Sequence, residues 1–192
     1  MRKDSVGMVD IRLYDDIFSK GPGMDPRGEV PYYWCPQTVS GSRYAYSQFS
    51  HMLLRRDGKI CSNLFYYFRD LIYDYFDKEN IPYTECMRAC LNLTYHIPGV
   101  VHTDVHVDSP LNHHVVILYL NETDGNTIVY ENQYDGVSKS LIFDQCEDEL
   151  KIKEEHNPKK GKIICFDGSH YHALRLPSPG KIRNVCVFNI SY

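Results

Sequence analysis

His106-Val107-Asp108 and, far downstream, His172 supply two imidazoles and one carboxylate, and Arg183 follows the second histidine by 11 positions. On an extended strand the side chains at i and i+2 share a face, so His106 and Asp108 can reach one ion while Val107 points away. Two histidines and a carboxylate fill three of the six positions around a cation such as Fe(II), which leaves an open face for a co-substrate and O2. Such a set suits oxygen chemistry better than hydrolysis. Arg183 adds a planar fork of donors of the kind that grips a carboxylate.

The chain offers rivals for each role. His102-Thr103-Asp104 repeats the His-x-Asp signature four residues upstream, His170 precedes His172 by two, and Arg175 is nearer to His172 than Arg183 is. Arg175 lies in a turn region before Pro177 and Pro179, which suits a surface or substrate-side residue. His113 and His114 flank a strand and His51, His96 and His156 stand alone, and such a histidine is more often a hydrogen-bonded structural residue than a ligand. Cys86 and Cys90 are four apart with no second pair of similar spacing, so a zinc site through thiols is not expected.

The elements that must position these groups fit one domain. A chain of 192 residues, 43% hydrophobic and 24% charged, can bury a sizeable core. The formal charge of -4 and the lack of a basic stripe argue against a nucleic-acid partner. Seven cysteines, an odd number scattered among apolar neighbours, suit a reducing intracellular compartment. No apolar N-terminal run and no stretch of roughly 20 apolar residues is present, so the expected location is the cytoplasm, with no membrane partner.

Residues 8 to 18 read as a short strand and turn, and Gly21, Pro22, Gly23, Pro26 and Gly28 break regular structure after it. Pro31 to Cys35 is aromatic-rich and expected either to tuck against the core, the blander choice, or to lie over the site mouth. From Ser62 the period becomes helical: Phe65, Phe68, Ile72 and Phe76 form one stripe, with Ser62 as the N-cap and Asn80-Ile81-Pro82 as the stop. The stripe predicts a helix packed on a sheet. Beyond residue 86 come seven β-type runs, MRACLNLTY, HHVVILYLN, NTIVYEN, SKSLIF, KIKEE, GKIICFD and IRNVCVFNI, which predict a sandwich or barrel. Asp124-Gly125-Asn126 and Asp167-Gly168-Ser169 read as hairpin-type turns. The mixed charges of Lys151 to Lys162 read as a solvated edge hairpin.

Taken together, His106-x-Asp108, the run Val115 to Asn121 followed by Asp124-Gly125-Asn126-Thr127, Phe166-Asp167-Gly168 ahead of His172, and Arg183 leading into Val185-Cys186-Val187-Phe188-Asn189 resemble the Fe(II)/2-oxoglutarate-dependent dioxygenases. The likeness is to small prolyl-hydroxylase-like members of phage and bacterial type, and it spans about residues 85 to 192. The resemblance implies a mainly β fold, a double-stranded β-helix or jelly roll with N-terminal flanking helices. Residues 1 to 84 would form a helical support and residues 85 to 192 the barrel core of a single domain, 1 to 192.

It further implies iron held by His106, Asp108 and His172, and Arg183 paired with the distal carboxylate of 2-oxoglutarate, with Tyr119 as a second contact. Asp108 lies 13 residues before Asn121, close to the connection length of the small members, whereas Asp104 would need a longer loop. His102 and Asp104 stay open as the alternative pair.

The activity implied is hydroxylation of a C–H bond, with Fe(II) as cofactor, 2-oxoglutarate and O2 as co-substrates, and succinate and CO2 as co-products. The substrate is a small molecule or a peptide or protein, a prolyl residue among the candidates, and the sequence is silent on oligomeric state. Two other classes stand beside this reading. A cupin-like module would keep the barrel and bind a metal or ligand without turnover. A metal hydrolase would use the same ligands to activate water, but would have no use for Arg183. The Gly21 to Gly28 segment and the turn Gln133 to Ser138 are the expected mobile parts around the mouth.

Overall fold

In the computed structural model, residues 4–11, 30–36, 46–141 and 146–192 are described. The Gly/Pro segment from Gly21 to Gly28 and most of the strand and turn expected over residues 8 to 18 lie outside them. The strands are β1 (Ser5–Met8), β2 (Tyr33–Cys35), β3 (Gln48–Leu54), β4 (Cys86–Tyr95), β5 (Val105–His106), β6 (His113–Tyr119), β7 (Thr127–Gln133), β8 (Ser140–Leu141), β9 (Ile152–His156), β10 (Lys162–Asp167), β11 (His170–Leu174) and β12 (Ile182–Ser191). Among the described residues the long α-helix, α1, runs over Leu64–Glu79. The strands form a seven-stranded sheet in the order β1-β10-β6-β12-β4-β3-β2 and a five-stranded sheet in the order β8-β5-β11-β7-β9. Their paired strands are antiparallel throughout. This is a mainly β, jelly-roll architecture.

Alternation along the larger sheet assigns its two faces. Ala89 and Leu91 of β4, Val116 and Leu118 of β6, Ile163 and Cys165 of β10, and Cys186, Phe188 and Ile190 of β12 share one core with the buried stripe of α1. Their neighbours, one residue out of phase, form a second core inside the roll: Val115, Ile117 and Tyr119, Ile164 and Phe166, and Val185, joined by Val129 from the smaller sheet. Strands buried on both faces read as continuous apolar runs, as in Val115–Leu118 of β6 and Ile163–Phe166 of β10. The smaller sheet covers its other face with a third cluster that includes Val105, Val107, Ile128, Tyr130, Tyr171 and Ala173.

The helix forms as its period predicts, with Phe68, Ile72 and Phe76 fully buried. The N-cap is Asn63, one residue after the expected Ser62, whose hydroxyl still accepts the Leu64 amide at 3.3 Å, and Asn80 ends the helix in the left-handed region at φ 54°. Among the described residues before position 85 the support is a single helix, and β1, β2 and β3 extend the large sheet at both edges. The short alternations in these strands were too brief to separate from loop by pattern alone.

The turns at Asp124-Gly125-Asn126 and Asp167-Gly168-Ser169 are not hairpins. The first joins β6 to β7 and the second β10 to β11, and each carries the chain from one sheet to the other. The charged run Lys151 to Lys162 likewise holds β9, the edge of the small sheet, and the start of β10, a strand of the large one. Sheet-switching turns share residue types with hairpin turns, so local chemistry does not separate the two.

Candidate metal centre

β5 and β11 place the two histidines. Their antiparallel register sets His106 directly opposite His172, and the ring centroids are 4.5 Å apart. Asp108 follows two residues after His106, with Oδ1 3.8 Å from His106 Nε2 and Oδ2 4.0 Å from His172 Nε2. These separations exceed hydrogen-bond range, and all three ligand atoms lie within 4.8 Å of one another. Donors that each sit about 2 Å from a common cation are spaced by about 3 to 4 Å, so the gap suits a metal ion. Among the described residues this is the one His/Cys/Asp/Glu group that converges in this way.

The imidazoles are held for coordination through Nε2. His106 Nδ1 lies 3.1 Å from the Asp104 carbonyl oxygen and His172 Nδ1 lies 3.3 Å from that of His170. Donating Nδ1–H to a carbonyl fixes the tautomer that leaves a lone pair on Nε2. Burial, with the adjacent His106, pushes the His172 imidazole down to about 4, so it is neutral at neutral pH. Burial acts against the Asp108 carboxylate, but His172, His106, Arg88 and the Asn189 amide outweigh it and hold the group well below the usual carboxylate range. A neutral imidazole beside an ionised carboxylate is what a divalent cation requires.

Asn189 and Arg56 fix Asp108. Asn189 is fully buried and donates from Nδ2 to Asp108 Oδ2 at 2.8 Å. Arg56 Nη2 donates to the Asp108 backbone carbonyl at 2.7 Å. Neither residue stands out in the sequence by spacing. The available signal for Asn189 is that Arg183, Val185, Val187 and Asn189 alternate along β12, so that one polar residue at each end of that face turns into the roll.

A cavity of about 110 Å³ starts at His106, Asp108 and His172 and reaches Arg183, between walls that include Val115, Ile117 and Val185. Arg183 is 5% exposed. Its Nη2 donates to Thr127 Oγ1 at 2.8 Å, its Cζ sits 5.4 Å from the Tyr119 ring centroid, and its buried Nε has no acceptor. Burial pushes the guanidinium down from its ordinary value, with Tyr119 acting in the opposite direction. No carboxylate among the described residues pairs with it. A buried guanidinium left without an acid costs several kcal/mol, on the order of the 3–5 kcal/mol seen when one partner of a buried pair is removed. The site therefore has room for an anion at the end remote from the histidines.

Tyr119 stands one layer behind this cavity. Its ring packs beneath Arg183, and its hydroxyl donates to Thr127 Oγ1 at 2.7 Å. Thr127 and Thr94 line the cavity in its place. Residue patterns gave no reason to single out either threonine, since a threonine on a strand is ordinary.

The rival residues occupy other positions. His102 Nε2 accepts from Arg175 Nε at 3.3 Å, and Arg175 Nη1 pairs with Glu155 Oε1 at 2.8 Å. Asp104 is buried, and its carbonyl is the acceptor facing His106. His170 Nδ1 lies 2.8 Å from the Tyr130 carbonyl and its Nε2 3.1 Å from Lys153 Nζ. An irregularity in the β11–β7 register between His170 and His172 breaks the usual i, i+2 relation, so the two rings serve different surroundings. Gln133 to Ser138 forms an exposed turn in which Asp135 Oδ1 accepts the Val137 amide at 2.8 Å. No helix among the described residues is long and apolar enough to cross a membrane.

No family model and no curated protein matches the sequence. Solved structures do. The fold is similar to that of an oxidoreductase of the 2OG-Fe(II) oxygenase family from Burkholderia pseudomallei, at 13% identity and TM-score 0.61 over 93% of this chain and 78% of that one. It is similar to a Pseudomonas putida prolyl-4-hydroxylase at 16% identity and TM-score 0.54, over 100% of this chain and 94% of the other. AviO1 from Streptomyces viridochromogenes aligns at 12% identity and TM-score 0.56 over 94% and 80% of the two chains. At these identities the shared property is the fold.

Proposed function

We propose that this protein is an Fe(II)- and 2-oxoglutarate-dependent oxygenase that hydroxylates a C–H bond. One observation carries the reading: a two-histidine, one-carboxylate cluster stands at one end of a cavity whose other end is a buried arginine with no acid partner among the described residues. The fold shared with oxygenases supports it. In this reading His106, Asp108 and His172 hold the iron and Arg183 receives the distal carboxylate of 2-oxoglutarate, which supplies the acceptor its fork lacks. Tyr119 and Thr127 keep that fork in place.

When bound, iron and 2-oxoglutarate with O2 supply the oxidising chemistry: R–H, O2 and 2-oxoglutarate become R–OH, succinate and CO2. The chain's own residues do the positioning. Val115, Ile117 and Val185 exclude water from the space between the two ends. Asn189 holds one oxygen of Asp108 so that the carboxylate does not rotate away from the histidines. The two Nδ1 contacts to carbonyl oxygens fix the imidazole planes. A prolyl residue of a peptide remains a candidate substrate within this proposal, and it rests on resemblance.

The test is succinate formation from 2-oxoglutarate by the protein with Fe(II) and O2, beside a His172→Ala variant. Release that the variant abolishes supports the proposal. If the parent binds Fe(II) yet releases no succinate with or without a host peptide or metabolite pool, and the variant behaves like it, the non-catalytic cupin-like reading is correct.

A further inference from the structure

Outside the metal centre lies a second, larger cavity of about 1000 Å³, and His106 and Asp108 form part of its floor. Its walls carry three cationic side chains, Arg56, Arg88 and Lys139, against a single acid other than Asp108, which is Glu85. Arg88 lines the inner cavity as well, so it stands where the two spaces meet. The register of β4 and β12 pairs Arg88 with Asn189, which already binds Asp108. Arg56 reaches the same spot from the turn after β3, held by its hydrogen bond to the Asp108 carbonyl.

These cations are not neutralised from within. Among the described residues no ion pair or side-chain hydrogen bond engages the Arg88 guanidinium or the Lys139 ammonium, and the nearby Asp57 is taken by Arg55 at 3.1 Å. Arg56 and Arg88 line the outer cavity together, beside Asp108. Once Asp108 holds a metal ion, no ion pair among the described residues neutralises Arg56 or Arg88. Like-charged side chains held together beside a reaction centre are stabilised when an anion sits between them.

We propose that Arg56 and Arg88 form an oxyanion-binding subsite, and that the substrate taken into the outer cavity carries a phosphate or carboxylate group which this pair grips. The inference rests on the oxygenase reading for the word substrate, while the anion site stands on the geometry alone. Charge-assisted contacts from two planar forks orient as well as attract, so the pair sets which C–H bond is turned toward the histidine cluster. Lys139, exposed across the opening, adds attraction at longer range.

The experiment is calorimetric titration of the protein with phenyl phosphate, benzoate and neutral benzamide, in the presence of Mn(II) and saturating 2-oxoglutarate so that Arg183 is already engaged. The expected result is that at least one anion binds the parent at least tenfold tighter than benzamide. Arg88→Gln and Arg56→Gln, each titrated at Mn(II) and 2-oxoglutarate concentrations that saturate the variant, should each weaken that anion about tenfold or more while leaving benzamide binding within about threefold of the parent. The tighter of the two anions identifies the group. Equal binding of benzamide and the anions, or variants that retain parental anion affinity, overturns the proposal. Failure of the parent to bind Mn(II) and 2-oxoglutarate would instead sink the oxygenase reading, and the same titration on the metal-free protein would still decide the arginine pair.

Discussion

Asn189 Nδ2 donates to Asp108 Oδ2 across 2.8 Å, joining the second-last buried position of the last strand to a carboxylate that lies 81 positions earlier. The amide is fully buried and its own Oδ1 has no partner, so this one bond is what orients the side chain. A hydrogen bond behind a metal ligand typically sets 10- to 100-fold in metal affinity. Asn189→Leu keeps the volume and removes the donor. Its expected result is a loss of Mn(II) affinity by about 10- to 100-fold, read by titration, with the melting temperature of the metal-free protein changed far less than the metal-loaded one. Parental affinity in the variant would show that Asp108 is held by other means.

Arg183 and Tyr119 separate charge from support. Replacing the buried fork with lysine removes the bidentate geometry, and loss of one partner in a buried charge pair costs about 2–5 kcal/mol. Arg183→Lys should therefore weaken 2-oxoglutarate by roughly 30-fold or more while Mn(II) binding persists. Tyr119→Phe loses only the hydroxyl that donates to Thr127 at 2.7 Å, and a net hydrogen bond contributes about 1 kcal/mol. A decrease of several-fold is expected, smaller than that of the arginine variant. Isothermal titration with 2-oxoglutarate measures both, and the reverse ranking would place the tyrosine at the ligand.

Gly125 sits against Arg183, an arginine far from it in sequence. A Cβ there would meet Arg183 Cδ at 3.0 Å and the Arg175 carbonyl oxygen at 3.2 Å. The backbone cannot retreat easily, so the arginine side chain must shift, at a strain of about 1–3 kcal/mol. Gly125→Ala should raise the 2-oxoglutarate dissociation constant by about tenfold without altering Mn(II) affinity. A variant with parental binding would mean that the turn yields instead.

His172 makes the stability of the metal-free protein depend on pH. Its imidazole falls from 6.5 to about 4 on folding, so the unfolded chain takes up a proton first as the solution is acidified. The folded-state pKa is depressed, and the stability it reflects is present above about pH 6.5 and is lost as pH falls toward 4. From about pH 7 to about pH 5 this one group should cost about 2 kcal/mol. Asp108 has a depressed value too, but its loss begins only near its ordinary 3.8, below that window. Urea denaturation in a chelator at the two pH values measures the difference, and His172→Asn should flatten it. An unchanged slope in that variant would assign the pH dependence elsewhere.

The residue types carried a good deal by themselves. Period-2 and period-3.6 patterns are properties of local segments, so the seven β runs and the aromatic stripe of α1 were legible without any partner in view. His106 and Asp108 share a strand neighbourhood, which made the pair visible as a motif. Tertiary structure decided what local pattern cannot carry: which sheet each strand joins, and hence that the turns at Gly125 and Gly168 switch sheets. It decided that His172 faces His106 while His170, two residues away, does not, because a register irregularity in β11 interrupts the alternation. It brought Asn189, Arg88 and Arg56 to Asp108 from three separate segments. Chain spacing encodes the face on which a side chain lies, whereas the neighbours across that face are fixed by strand order and register, which arise only when the sheets close on each other.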